Sequence, residues 1–163
     1  MQLEELFNMQ QALDQHIEEK HDLQEEDLFN RKVLALLVEL GELANETRCF
    51  KFWSVKPSSE KSVVLEEFVD GVHFILSLGI ECGFEKRQYT VHTEPTALNV
   101  SEQFLFIYEK INDFKNSKND LDFKTLLEAY LQLGTLLGIS YEEMEKAYFK
   151  KNEVNYQRQQ NNY

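Results

Sequence analysis

Glycine and proline are scarce in this sequence, six and two in 163 residues, which argues against a turn-rich β fold, because tight turns between short strands draw on those two residue types. Long uninterrupted helices remain, so the chain is expected to be all-α. Cysteine is as scarce as proline, at two residues. Cys49 and Cys82 fall near the two ends of one arm of a helical hairpin, roughly 30–45 Å apart at ~1.5 Å rise per residue, whereas a disulfide needs Cα atoms within about 7 Å. Both are expected as free thiols in a reducing, cytoplasmic setting. No run approaches the ~18 apolar residues of a membrane span. The opening MQLEELFNMQ has neither the basic nor the apolar region of a signal peptide. Positive charge is also short: 17 Lys and Arg against 29 Asp and Glu leave a net charge of -12, which repels polymeric nucleic acid. A small anion is not excluded, since a divalent cation and a few local basic side chains can reverse the field at one site. The length suits one domain, residues 1–163, closing its own hydrophobic core.

What is present is helical periodicity. Leu3, Leu6, Phe7, Leu13 and Ile17 predict a first helix over residues 3–20. After a charged link at 21–26, Val33, Leu36, Leu37, Leu40 and Leu43 predict a second that ends near Cys49. Residues 50–58 form a break, with Ser58 or Ser59 placed to cap a third helix over 60–82 that closes at Gly83. The pattern lapses over 84–98, which reads as a loop without an assignable role. A fourth helix is expected over 100–114 and a polar turn over 116–120. A fifth helix, marked by Phe123, Leu126, Leu127, Tyr130, Leu131 and Leu133, stops at Gly138. Ser140 and Glu143 read as a capping box for a last helix through Arg158, with 159–163 as a frayed tail. Together these predict a four-helix core with accessory helices.

The chemistry lies in four carboxylates. Glu39 and Glu42 are three residues apart, as are Glu67 and Asp70, so each pair projects from one helical face. The pairs are also mirror-placed about a midpoint near Ser54, so an antiparallel hairpin of the second and third helices brings them to the same height. Val63, Glu67, Asp70, Phe74 and Leu78 share one sector of the third helix, and apolar residues cover most of the rest, the pattern of a buried helix. Acids facing one another in such a place repel unless protonated or bound to a cation. Oxygen ligands without Cys or His favour a hard ion, and magnesium commonly shares its coordination with substrate phosphates. Glu46, one turn beyond Glu42, is placed to complete the shell or orient a water. The bland alternative is a solvated acidic flank. A di-iron bundle would need Glu-x-x-His on two helices, and only Asp70-x-x-His73 is present.

These residues carry a resemblance. The block from Val38 to Arg48 followed by Phe50-Lys51-Phe52-Trp53-Ser54, the block from Leu65 to Phe74, and the block from Ala147 to Gln159 are together similar to the dimeric, all-α dUTPase family. That family lies within the MazG-like all-α nucleotide pyrophosphohydrolases. The resemblance implies a homodimer that hydrolyses dUTP, and also dUDP, to dUMP, limiting uracil incorporation into DNA. It implies two or more magnesium ions, replaceable by manganese, at Glu39, Glu42, Glu67 and Asp70, with Glu46 beside them. Related enzymes act on dCTP or on assorted and damaged nucleotides, and a non-catalytic regulator-binding bundle is the alternative of another class.

Lys151, Asn155 and Arg158 recur at helical spacing and suit phosphate oxygens. Alone they would read as a cationic helix end favoured by the dipole, but within the third block they resemble a phosphate clamp, with Lys51 of the aromatic loop as a further phosphate contact. Gln10 and Asp14 interrupt the apolar seam of the first helix, where a polar group needs a partner. In the family a glutamine and commonly an asparagine there read uracil, so Asp14 departs from the pattern. Trp53 is expected to stack on the base or to plug the hairpin. His73 and Phe74 resemble the positions that line the deoxyribose, the alternative being simple packing.

Overall fold

The computed structural model describes residues 3–91 and 94–163 and, over them, six α-helices and no strand. They are α1 Glu4–Lys20, α2 Phe29–Thr47, α3 Lys61–Glu81, α4 Val100–Ser117, α5 Asp120–Leu136 and α6 Tyr141–Gln160. The all-α expectation is met. No described helix is long and apolar enough to cross a membrane.

Helix α3 is the centre of the packing, in contact with α1, α2, α5 and α6, while α4 and α5 form a hairpin that rests on α2 and α3. The reason is compositional. From Gly71 to Gly79 every residue except Phe74 is buried, and a helix apolar nearly all round must be covered on all sides. Gly71 permits the closest of these contacts. A Cβ there would overlap the Tyr130 ring of α5, whose hydroxyl donates to the Phe68 carbonyl oxygen at 2.8 Å. The backbone beside Asp70 is thus pinned from behind by a buried aromatic ring.

Several ends follow from local chemistry. Ser140 and Glu143 form the expected capping box of α6, Asn99 and Glu102 form another for α4, and Asn119 caps α5. Helix α2 closes on Arg48 in the left-handed conformation, φ 58°, and the Arg48 guanidinium then ties the following loop by donating to Ser54 Oγ at 2.8 Å and the Lys56 carbonyl at 3.1 Å.

Other ends differ from the expectation. Neither Ser58 nor Ser59 caps α3: Glu60 holds the N-cap position without a side-chain bond, and the Ser59 hydroxyl donates to Glu46 instead. Helix α4 runs on to Ser117 and is closed by left-handed Lys118, whose N–H reaches the Phe114 carbonyl at 2.8 Å. Helix α6 extends to Gln160, with Gln159 hydrogen-bonded to His21 at 2.8 Å, so only the last three residues leave the helix. The described part of the 84–98 loop, which excludes His92 and Thr93, is not merely connecting chain. Phe84, Tyr89 and Val91 are buried, and the Tyr89 hydroxyl donates to Asp120 at 2.5 Å, closing the core over Phe7 and Phe123.

Candidate active site

Contacts between α2 and α3 run in ladder order: Glu46 with Ser59, Glu39 with Glu67 and Asp70, and Lys32 with Glu81. The two arms are therefore antiparallel, and the mirrored acids meet. One carboxylate oxygen from each of Glu39, Glu67 and Asp70 lies within 4.8 Å of the other two. Oxygens that share a single divalent ion at about 2.1–2.6 Å can be at most about 5 Å apart, so the three fit one coordination sphere. Glu42 is more exposed and stands beside them, interacting with Glu39 by charge and hydrogen bond.

The electrostatics point the same way. Burial, reinforced by the charges of Asp70 and Glu42, pushes the Glu39 carboxyl up to about 7. Burial and the Asp70 charge raise Glu67 as well. Asp70 is raised by burial even though Lys151 donates to it at 2.9 Å. Burial works against the Lys151 ammonium, but its bonds to Asp70 and, at 3.1 Å, to Glu66 more than offset this and leave its pKa raised. One lysine does not neutralise the group. An all-oxygen cluster with surplus negative charge is a donor set that a hard divalent cation satisfies.

The acids also mark a boundary between two cavities. On one side a cleft of about 280 Å³ runs between α1, α2, α3 and α6. Into it face Glu39 and Asp70, the basic group Lys151, Asn155 and Arg158, and the residues expected at the base and sugar, namely Gln10, Asp14, His73 and Phe74. On the other side Glu42, Glu46 and Glu67 line a shallow open depression. Four helices thus bring together residues that the sequence scatters from position 10 to position 158.

A hydrogen-bonded network fixes the far part of the cleft. Gln10 Oε1 accepts from the Tyr148 hydroxyl at 2.7 Å and lies 2.7 Å from His73 Nδ1, while Gln10 Nε2 donates to Asp14 at 2.8 Å. Asp14 accepts a second bond, from Ser77 Oγ at 2.6 Å. Since Gln10 Oε1 can only accept, the His73 proton sits on Nδ1 and its buried Nε2 is a bare acceptor without a protein partner. Protonation there would bury a cation near Lys151, and burial above all holds the imidazole down at about 3. The ring stacks on Tyr148 at 4.2 Å.

Two expected residues lie elsewhere. Lys51 and Trp53 sit on the loop between α2 and α3 and do not line the cleft. Trp53 is 65% exposed, in edge contact with Phe50 and Phe52, so it does not plug the hairpin. Conversely, Lys32, Ser77 and Tyr148 belong to the cleft or its network without having been assigned a role from the sequence. Lys32 lies two helical turns before Glu39 and Ser77 two turns after Asp70, a register that continues each acid's own face. That periodicity was the available signal.

No curated protein matches the chain. A family model described as dUTPase matches residues 2–163. With the acids, the basic group and the cleft placed as described, and the match extending from residue 2 to the last residue, the chain belongs to the all-α dUTPase family and is a dUTP diphosphatase.

Proposed function

We propose that this chain converts dUTP, and dUDP as well, to dUMP in a magnesium-dependent reaction at Glu39, Glu42, Glu67 and Asp70. The observation that carries the reading is the position of the acids at the mouth between the cleft and the more open depression. A nucleotide with its base and sugar in the cleft brings its phosphates up to that boundary. Magnesium, one or more ions, would supply charge neutralisation, polarisation of phosphorus and acidification of the attacking water.

The chain's own residues do the rest. Lys151, Asn155 and Arg158 bind phosphate oxygens, with Lys51 reaching them from the loop. Glu46, oriented by the Ser59 hydroxyl, holds the water. Gln10 and Asp14 meet the base, and Phe74, backed by His73, meets the deoxyribose, an aromatic wall that disfavours a 2′-hydroxyl.

We further propose a cytoplasmic homodimer. Leu34 and Val38 of α2 and Leu105 of α4, on two helices that pack together, are 62%, 51% and 66% exposed, an apolar face that a second copy would cover.

The decisive experiment is pyrophosphate release from dUTP with and without magnesium, resolving dUMP from dUDP, beside dCTP, dTTP and UTP. Preferred, metal-dependent conversion of dUTP to dUMP is expected; equal or better turnover of dCTP would move the chain to another substrate. Light scattering should give twice the 19.3 kDa chain mass, and a monomer would remove the dimer.

A further inference from the structure

At the end of the cleft away from the acid cluster, three helices converge on one cation. Lys32 of α2 has its Nζ 2.5 Å from Glu81 of α3, 3.6 Å from Glu18 and 3.7 Å from Asp14, both of α1. Its side chain is only 13% exposed, yet it lines the cleft. The Glu81 contact is a short hydrogen bond and the longer Glu18 contact a weaker one. An ammonium carries three N–H donors, so Lys32 has one to spare.

The neighbouring polar groups have fixed polarity. Asp14 can only accept, and the Gln10 amide is held in one orientation by Tyr148, His73 and Asp14 itself. A neutral amide at position 14 could turn over to suit either a donor or an acceptor. A carboxylate beside an ammonium cannot. Of the three cations lining the cleft, Lys151 and Arg158 act on Asp70, and Lys32 alone stands with Asp14.

Distance along the helices fits a base at this end. Lys32 precedes Glu39 by seven residues and Ser77 follows Asp70 by seven, which is about 10 Å at 1.5 Å per residue on both arms. That interval accommodates a pentose and the far edge of a pyrimidine ring.

We infer that Lys32 is a specificity-determining residue of this site, donating to the 4-carbonyl oxygen of a pyrimidine whose N3–H is accepted by Asp14. The inference rests on the dUTP reading above and adds the side chain that rejects cytosine. In the same pose cytosine turns its 4-amino group toward the ammonium and its N3 lone pair toward the carboxylate. Donor faces donor and acceptor faces acceptor, a repulsive element rather than a weaker attraction.

The test is the ratio of kcat/KM for dUTP to that for dCTP, measured with magnesium for the parent enzyme, Lys32→Met and Lys32→Arg. Lys32→Met should lower the ratio about ten-fold or more, chiefly by raising KM for dUTP, as expected for one hydrogen bond to a charged group. Lys32→Arg, which keeps the donor, should restore most of the ratio. Because Lys32→Met leaves three acids facing one another, Lys32→Met combined with Glu81→Gln is the partner variant should the single change not fold. A folded Lys32→Met or double variant with the parent's ratio, within two-fold, overturns the inference while leaving the dUTP reading intact. A parent enzyme that does not hydrolyse dUTP overturns both.

Discussion

The two ends of the cleft solve the problem of buried polarity in opposite ways. At one end Glu39, Glu67 and Asp70 converge with Lys151 and, more weakly, Arg158 to offset them, and their carboxyls are still raised, chiefly by burial. At the other, Tyr148, Gln10, His73, Asp14 and Ser77 are joined by consecutive hydrogen bonds that leave His73 Nε2 bare. A hydrogen-bonded network holds a shape, whereas an unneutralised cluster stores a demand for a cation. The first arrangement suits recognition and the second chemistry. Substitutions at the two ends should therefore separate activity from stability.

The largest effect is expected at the acid end. Glu39→Gln and Glu67→Gln should each lower magnesium-dependent turnover of dUTP by about a thousand-fold, roughly 4 kcal/mol of barrier, because a lost metal ligand removes transition-state charge stabilisation. Steady-state kinetics with circular dichroism as the fold control checks this. A variant that keeps near-parental turnover breaks the assignment of that end to metal chemistry. At the network end the order reverses. Gln10→Ala strands His73 Nδ1 and one Asp14 oxygen and leaves the Tyr148 hydroxyl its longer bond to the Leu6 carbonyl at 3.3 Å, and should destabilise the fold by about 2 kcal/mol in urea denaturation. A loss below about 0.5 kcal/mol would mean that the network is not cooperative.

This contrast also explains what could be read beforehand. The acids were legible because helical spacing and mirror placement are properties of the sequence itself, and α2 and α3 needed only to fold back on each other. The network was half legible: Gln10 and Asp14 stood out as polar breaks in an apolar seam, but their partners Ser77 and Tyr148 lie 63 and 138 positions from the residues they bond. No local pattern encodes such a pairing. Lys32 is harder still, since a lysine near the start of an amphipathic helix looks like a solvated charge until Glu18 and Glu81 are brought around it. Helix ends failed where a side chain had a better partner, as when Ser59 turned from capping α3 to Glu46.

The finest test of the contrast is pH, because Glu39 at one end and His73 at the other should respond with opposite signs. Glu39, raised to about 7 by burial and by Asp70 and Glu42, binds a proton more tightly in the native state than in the unfolded chain. Stability in EDTA should therefore decline as pH rises from about 4.5 through 7. His73, lowered to about 3 chiefly by burial, binds its proton less tightly when folded. Its contribution is complete above about 6.5 and is lost as pH falls below that value, with a slope of at most about 1.4 kcal/mol per pH unit. Between pH 5 and 6.5 the two slopes oppose each other in the parent chain. Glu39→Gln should unmask the His73 slope, so that stability falls on acidification. At pH 8 the same substitution should raise stability by about 1 kcal/mol or less, solvent screening at a half-buried site keeping the gain small. His73→Asn should leave the opposite trend, stability rising on acidification. Urea midpoints at pH 5, 6, 7 and 8 for the three proteins in EDTA decide the matter, and parallel profiles would show that the two ends share one electrostatic environment rather than two.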